Sequence, residues 1–205
     1  MTELKICGMR SVEDLEACRG ADYLGFVVVS DSPRNLGIER ARDLMSVCGG
    51  RRVAVTTERR PEVLESMVRT LEPDILQLHS ALDRGLLSEM AGMGIPLWGM
   101  LPVHSGTEVD SLALPLLSAL VLDSPGPRAG GNGRTHDWSL SRGIRDSVAP
   151  LPVVLAGGLN ERNVRSAVEA VKPSVVDVSS GAEGIGGKDP RKIAMIMEAM
   201  RGVLE

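Results

Sequence analysis

A cysteine and an aspartate each end a short apolar stretch, in distant parts of the chain. Cys7 ends "LKIC" near the start, and Asp123 ends "SALVLD". A thiolate can remove a proton and a carboxylic acid can donate one, so the pair could carry out general acid/base chemistry if the fold brings it together. By residue type alone, packing is the commoner role of a cysteine, and an aspartate there equally often caps a loop.

Small residues follow the last two apolar stretches of the chain. Gly157 and Gly158 come after "PVVLA", and Ser180 and Gly181 come after "SVVDVS". Backbone N–H groups in such turns can bind a phosphate, above all where a helix begins. Glycine pairs are also ordinary turn residues, but two such sites in adjacent units favour phosphate binding.

Two more polar side chains follow apolar stretches. Arg34 lies in "SDSPR" and is either a solvated loop charge or a planar anchor for a carboxylate or another anion. His79 ends "DILQLH" and is interpreted as a hydrogen-bonded residue that shapes a pocket without titrating.

Eight apolar segments position these residues, and most of them are separated by residues with helical spacing, as at positions 63, 64, 67, 68 and 71. The segments are "LKIC", "YLGFVVV", "RRVAVT", "DILQLH", "PLWGML", "SALVLD", "PVVLAG" and "SVVDVS". Apolar strands alternating with helices predict a parallel sheet covered by helices. A closed (β/α)8 barrel would collect all the strand ends at one mouth, but an open doubly wound sheet gives the same local pattern.

Local signals predict where some helices begin and where one connection is long. Ser11 with Asp14 three residues later is typical of a capped helix start, and Pro61 and Pro190 suit first helical turns. The stretch "SPGPRAGGNGRTHDW" after the sixth segment is rich in glycine and proline and predicts a long loop within the domain.

The length, the net charge and the amino-acid composition limit the class of protein. A length of 205 residues predicts one domain, and a net charge of −4 with 2% aromatic residues argues against a nucleic-acid or anionic-membrane partner. Three cysteines without CxxC spacing support neither a disulfide framework nor a zinc site. Without a signal segment or an apolar run of the ~20 residues that a membrane span needs, we expect a cytoplasmic protein.

Taken together and in order, the motifs resemble those of the phosphoribosylanthranilate isomerase family of tryptophan biosynthesis. The resemblance rests on "KICGM", "GADYLGFVVVSDSPR", "DILQLH", "LVLDS", "GGNG" with "DW", "LAGGLNERNV", "DVSSGAEG" and "GKDP". It implies a single-domain (β/α)8 TIM barrel over residues 1–205. It also implies an Amadori rearrangement of N-(5-phosphoribosyl)anthranilate to 1-(2-carboxyphenylamino)-1-deoxyribulose 5-phosphate, without metal or organic cofactor.

The resemblance also implies a role for each candidate residue. Cys7 would be the general base, which needs a lowered thiol pKa, and Asp123 the general acid, which needs a raised pKa. Arg34 would position the anthranilate, Asp177 would face the sugar, and His79 would shape the pocket. The phosphate would lie on the loops that contain Gly157, Gly158, Ser180 and Gly181.

Some residues depart from the family pattern, and two rival functions compete with the isomerase. Ser80, Asn132 and His136 replace the residues usual in "QLHG", "GGTG" and "TFDW", so the pocket is expected to differ in shape. The related isomerase of histidine biosynthesis uses an aspartate where Cys7 stands, which argues against it. A barrel without catalysis would have no reason to keep Cys7, Asp123 and Arg34. The sequence leaves monomer and homodimer equally open.

Overall fold

The computed structural model describes residues 1–125 and 135–201. Eight strands lie close to the eight apolar segments. They are β1 (Glu3–Cys7), β2 (Tyr23–Val27), β3 (Arg51–Thr56), β4 (Ile75–Leu78), β5 (Leu97–Pro102), β6 (Ala119–Asp123), β7 (Val153–Leu155) and β8 (Val175–Val178). Helices lie between most of them: α1 (Val12–Ala17), α2 (Ile38–Ser46), α3 (Pro61–Leu71), α4 (Arg84–Ala91), α5 (Trp138–Val148), α6 (Val164–Val171) and α7 (Pro190–Arg201).

The eight strands form one closed parallel barrel in sequence order. Closure occurs where β1 pairs with β8, with Lys5 opposite Asp177, while the other edge of β1 pairs with β2, with Cys7 opposite Gly25. The (β/α)8 barrel implied by the family resemblance is confirmed, and the open doubly wound sheet, which the alternating pattern left open, is excluded because no strand edge of the barrel is left unpaired.

Two connections differ from the regular pattern. The connection from β5 to β6 contains a single 3-10 turn, Leu114–Leu116, in place of an α-helix. Between β8 and α7 lies a 3-10 turn, Ser180–Ala182, and a short antiparallel hairpin of β9 (Glu183–Gly184) and β10 (Gly187–Lys188). This hairpin places polar residues beside the end of β1.

The predicted helix starts are confirmed. The Ser11 side chain accepts a hydrogen bond from the Asp14 N–H at the beginning of α1, and Pro61 and Pro190 are the first residues of α3 and α7. The Asp14 carboxylate does not complete the reciprocal bond of a capping box. It accepts instead from the backbone N–H groups of Arg10 and Lys188, at 2.8 and 2.7 Å, and so ties α1 to β10.

The strands bury both faces, and the two faces have different neighbours. Leu4 and Ile6 of β1 pack with the helices in the outer core, whereas Cys7 belongs to the cluster inside the barrel. Because side chains alternate along a strand, Lys5 shares the inner face with Cys7. Asp123 ends β6 on the face of Val121, another member of the inner cluster, so the inside of the barrel becomes polar towards the carboxyl ends of its strands.

One expectation from the sequence lies mostly beyond what the structure covers. The long loop expected after β6, with the departure at Asn132, falls on residues 126–134, outside the described residues. Among the helices that are described, none combines the length and the apolar composition that crossing a bilayer requires.

Candidate active site

A cavity opens at the carboxyl ends of the strands and brings together nearly all of the predicted site residues. Its walls include Cys7, Arg34, His79, Asp123, Gly157, Gly158, Asp177 and Ser180. Gly181 instead lines a neighbouring shallow pocket with Gly158, Ser180 and Lys192. A Cβ on Gly181 would lie 2.0 Å from the Leu159 carbonyl oxygen, so the absent side chain lets the loops after β7 and β8 pack together.

Asp123 is a buried carboxyl group at the end of β6. Its Oδ1 accepts a hydrogen bond from the Ser124 N–H at 2.7 Å, and its Oδ2 lies 3.4 Å from His79 Nε2. Burial raises the pKa of Asp123 to about 6, against the opposing effect of the Ser124 hydrogen bond. Burial also lowers the pKa of His79 to about 4, so its ring is neutral near pH 7. The predicted rise in the pKa of Asp123 is confirmed, and so is the prediction that His79 does not titrate near pH 7.

Cys7 is a buried thiol that faces the cavity from the end of β1. Burial raises its pKa above the ordinary value, and this effect exceeds the lowering produced by the charges of Lys5 and Lys188. The expectation of a lowered thiol pKa is therefore wrong for the free protein. The reason is that a thiolate enclosed by the barrel loses hydration that the nearby cations only partly replace.

Lys5 and Asp177 form an ion pair inside the barrel, one layer below the thiol. Lys5 is fully buried, and its Nζ donates to Asp177 Oδ2 at 2.7 Å. Burial lowers the pKa of Lys5, but the charges of Asp177 and Cys7 and the hydrogen bonds to them together outweigh it, so the pKa is raised and Lys5 remains an ammonium. The other carboxylate oxygen of Asp177 is buried and has no hydrogen-bond partner within the described ranges.

Gly25 provides the space that Lys5 and Cys7 occupy. A Cβ on Gly25 would lie 2.8 Å from Cys7 Sγ and 3.1 Å from Lys5 Nζ. Any larger residue on this inner face of β2 would push one of the two side chains aside. Because Gly25 has no side chain, Lys5 and Cys7 can pack against β2 as they do.

We predict that Gly25→Ala destabilises the fold by roughly 1–3 kcal/mol, as overpacking of a filled interior does. Thermal unfolding of the purified variant measures the loss. Gly143→Ala is the matched control, because Gly143 lies in α5 and its added Cβ would have no neighbour within 4 Å. The control should be neutral or stabilising by up to about 1 kcal/mol. Equal stability of Gly25→Ala and the native chain would contradict the steric argument.

Arg34 reaches over the cavity and is held by an acidic residue that the sequence did not single out. Its Nε and Nη2 atoms donate to the two carboxylate oxygens of Glu183 at 2.6 and 2.8 Å. Three of the five guanidinium N–H groups remain for a ligand. Gly8 adopts φ +93° and its Cβ would lie 2.6 Å from Arg34 Cδ, so the space beside Gly8 holds this side chain.

The loops after β7 and β8 contain the predicted phosphate-binding residues. The N–H groups of Gly157 and Gly158 donate to no acceptor in residues 1–125 or 135–201. α6 begins only at Val164, so these glycines do not stand at a helix start as expected. Any phosphate here would bind to loop N–H groups, with Ser180 contributed by the 3-10 turn after β8.

The chain as a whole is similar to known proteins. A family model described as N-(5'-phosphoribosyl)anthranilate (PRA) isomerase matches residues 4–199. The chain belongs to the N-(5'-phosphoribosyl)anthranilate isomerase family.

Individual relatives of this isomerase family match nearly the whole chain. N-(5'-phosphoribosyl)anthranilate isomerase 1 of Methanosarcina mazei is 36% identical, with 98% of this chain and 95% of the relative covered. The crystal structure of phosphoribosyl anthranilate isomerase from Thermotoga maritima is 32% identical, with a TM-score of 0.84 and 98% and 100% of the two chains covered. A further isomerase structure, at 31% identity, 98% and 100% coverage and a TM-score of 0.80, contains reduced 1-(o-carboxyphenylamino)-1-deoxyribulose 5-phosphate.

Two departures from the isomerase pattern, His136 and Ser80, lie close to Asp123 or to its neighbour His79. His136 makes two contacts, with Ser124 Oγ at 2.9 Å from Nδ1 and with Ser141 Oγ at 2.5 Å from Nε2. His136 thus connects α5 to the residue whose N–H binds Asp123. Ser80 follows His79, and its buried hydroxyl has no partner in the part of the chain that the structure describes.

Sequence reasoning missed four residues around Cys7: Lys5, Gly25, Glu183 and Lys188. Alternation along β1 could have indicated Lys5, because it lies two residues before Cys7 and so on the same face. Nothing local distinguishes Glu183 or Lys188 from solvated hairpin charges. Lys188 Nζ donates to the Cys7 carbonyl at 2.6 Å and to Glu183 Oε1 at 3.3 Å, contacts that only the folded chain creates.

Proposed function

We propose that the chain converts N-(5'-phosphoribosyl)anthranilate to 1-(2-carboxyphenylamino)-1-deoxyribulose 5-phosphate, with Cys7 as general base and Asp123 as general acid. One observation carries these roles: a thiol and a carboxyl group with a pKa of about 6 face the same cavity from β1 and β6. Membership of the isomerase family supplies the reaction, and the related structure that contains the reduced product supports a small phosphoribosyl ligand.

The reaction divides into two proton transfers at the barrel mouth. Asp123 donates its proton to the ring oxygen of the ribose, which opens the ring to a protonated Schiff base. The Cys7 thiolate then removes the proton from C2 and leaves an enolamine, which tautomerises to the ketone. The raised pKa of Asp123 suits the first transfer, because a larger fraction of this carboxyl group holds a proton near pH 7 than would be the case for a carboxyl group with an ordinary pKa.

The other residues of the cavity hold the two ends of the substrate. Arg34 keeps three N–H donors beside its contact with Glu183, and these would bind the anthranilate carboxylate. The N–H groups of Gly157 and Gly158 would bind the phosphate, together with the loop of Ser180. Asp177 lines the same cavity, and its buried, unpartnered oxygen would accept a hydrogen bond from a hydroxyl of the sugar.

The test is direct. N-(5'-phosphoribosyl)anthranilate is generated in situ, and loss of its fluorescence is followed after addition of the purified chain. Turnover that scales with protein concentration supports the proposal. Wild-type protein that is folded and shows no turnover above the buffer rate would refute it.

We predict that Arg34→Gln lowers kcat/KM by roughly 10- to 100-fold, which corresponds to the 1.5–3 kcal/mol of hydrogen bonds to a charged group. Most of the change should be in KM, because the carboxylate that Arg34 binds takes no part in the proton transfers. Steady-state kinetics in the fluorescence assay separate the two constants. Arg42→Gln is the control, since Arg42 is an exposed arginine on α2. An unchanged kcat/KM would show that Arg34 is a charged loop residue that does not bind the substrate.

Three expectations from the sequence remain predictions. They are that residues 1–205 form one domain, that the protein acts in the cytoplasm, and that it is a monomer or a homodimer. The family match over residues 4–199 supports the first. A structure of the Thermotoga maritima relative, at 32% identity and a TM-score of 0.81, describes that isomerase as dimeric.

A further inference from the structure

Lys5 is a charged residue at the centre of the barrel for which the proton transfers give no role. It is fully buried, and it is absent from the cavity wall that Cys7 and Asp177 help to form. Its Nζ donates to Asp177 Oδ2 at 2.7 Å. A side chain enclosed in this way cannot contact a ligand in the cavity, so any influence on the reaction passes through the residues that Lys5 touches.

Fold stability is a weak explanation for a lysine at this position. A buried ion pair usually stabilises a protein no more than well-packed apolar side chains of similar volume, because both charges lose their hydration. The same barrel interior contains that alternative in Val53, Val121 and Val154. The presence of a charged lysine in this apolar interior is therefore better explained by an effect on the residues that it contacts.

We propose that Lys5 is a positioning residue for the isomerisation: its ammonium, held by Asp177, lies beside the Cys7 sulfur and stabilises the thiolate. The inference rests on the proposed role of Cys7 as the base. Cys7 Sγ and Lys5 Nζ both approach the bare face of Gly25, at 2.8 and 3.1 Å from the position of an added Cβ. The interaction also has the expected reciprocal signs, since each group favours the charged form of the other.

The hydrogen bonds of the two nearby lysines show why Lys5 is the better partner for the sulfur. Lys188 Nζ donates to the carbonyl oxygens of Cys7 and Ser179 and to Glu183, which occupies all three of its N–H groups. Lys5 Nζ uses one N–H for Asp177, and the described residues offer its remaining N–H groups no oxygen acceptor. The ammonium of Lys5 is thus free to donate to sulfur.

More cations than carboxylates act on the thiol from nearby elements, and Asp123 also faces the cavity from β6. The charged groups that face Cys7 are Lys5 on β1, Arg34 after β2, Asp177 on β8 and Lys188 on β10, with Glu183 bound to both Arg34 and Lys188. Three cations face two carboxylates. A thiolate would add a negative charge beside these cations, and Lys5 is the fully buried one among them whose remaining N–H groups meet no oxygen acceptor in the described residues.

The test measures the pH dependence of Cys7 alkylation by iodoacetamide in the full-length protein. Mass spectrometry follows the peptide that contains Cys7, because Cys18 and Cys48 are also free thiols. In Lys5→Met the pH of half-maximal alkylation is expected to rise by about one pH unit or more, which makes alkylation about tenfold slower at a fixed lower pH. Alkylation needs no turnover, so this result is independent of the isomerase assay.

Two further variants separate electrostatics from structure. Asp177→Asn should move the alkylation profile to lower pH, because it removes a carboxylate that disfavours the thiolate and leaves Cys7 as the anionic partner of Lys5. Lys188→Met should cause a smaller rise than Lys5→Met. An unchanged profile in folded Lys5→Met, or an equal or larger rise in Lys188→Met, would overturn the assignment. If Lys5→Met does not fold, Lys5→Gln takes its place, because glutamine keeps a hydrogen-bond donor for Asp177 and has no charge; a rise in its alkylation profile supports the proposal and an unchanged profile refutes it.

Discussion

Replacing Cys7 with alanine is expected to lower kcat by roughly 100-fold or more, the usual contribution of a general base. The thiol lies on the inner face of β1 and faces the cavity. Among the described residues, neither of the other two cysteines lines this cavity. Alanine removes the proton acceptor and leaves the backbone contacts of Cys7 with Lys188 in place. The fluorescence assay under substrate saturation measures kcat directly.

The control for this variant is Cys48→Ala, which removes a half-buried thiol that follows α2, outside the cavity wall. Its kcat should stay within about twofold of wild type, as for a substitution remote from the chemistry. Thermal unfolding shows whether Cys7→Ala is folded at the assay temperature. A folded Cys7→Ala variant with near-normal kcat would remove Cys7 from the mechanism.

Asp123→Asn is also expected to lower kcat by about 100-fold or more, since an amide keeps the shape of the carboxyl group and has no acidic proton. The Ser124 N–H can still donate to the side-chain oxygen of asparagine, so the local structure of the β6 end should persist. Asp110→Asn is the control, because Asp110 is a half-exposed carboxylate paired with Arg84. A kcat equal to wild type would refute the role of Asp123.

The pH profile supplies a second measurement on the same variant. In wild type, kcat/KM should fall as the pH drops below about 6, because Asp123 then takes up a proton while Cys7 also holds one and no base remains. Above the raised thiol pKa both groups are ionised and no acid remains. Between these limits the pair holds one proton, and the working form has it on Asp123.

Asp123→Asn should lose the fall near pH 6 and show a rate that rises with pH as Cys7 ionises. A phosphate group on the substrate also titrates near pH 6, and that contribution would be the same in both proteins. A fall near pH 6 that persists unchanged in Asp123→Asn would therefore assign it to the substrate and contradict the assignment to Asp123.

Much of the fold and the outline of the site follow from local patterns. Every strand lies close to a segment identified by its apolar run, because burial on both faces leaves no alternating pattern to mislead. Asp123 and Cys7 each end such a run, so both were placed at the mouth once a barrel was assumed. The raised pKa of Asp123 also follows from its position, because any carboxyl group at a closed, apolar strand end loses water.

The direction in which the pKa of Cys7 shifts could not be predicted in the same way. Burial and nearby cations act on Cys7 in opposite directions, and their balance depends on distances that the sequence does not contain. The same holds for Arg34, whose proposed role as an anchor was implied by the family resemblance, while its partner Glu183 comes from the other end of the chain. The carboxylate fixes the guanidinium over the cavity and leaves only part of it for a ligand.

The sequence by itself determined that this chain alternates strands with helices, that its polar residues collect at strand ends, and that its motifs match one isomerase family. Tertiary structure alone decided which of these residues touch. Closure of the barrel pairs β1 with β8 in a register that sets Lys5 opposite Asp177, while the pairing with β2 sets Cys7 opposite Gly25. The physical reason is that local preferences fix the direction of each side chain along its strand, whereas contact between strands depends on register and closure, which the whole core determines.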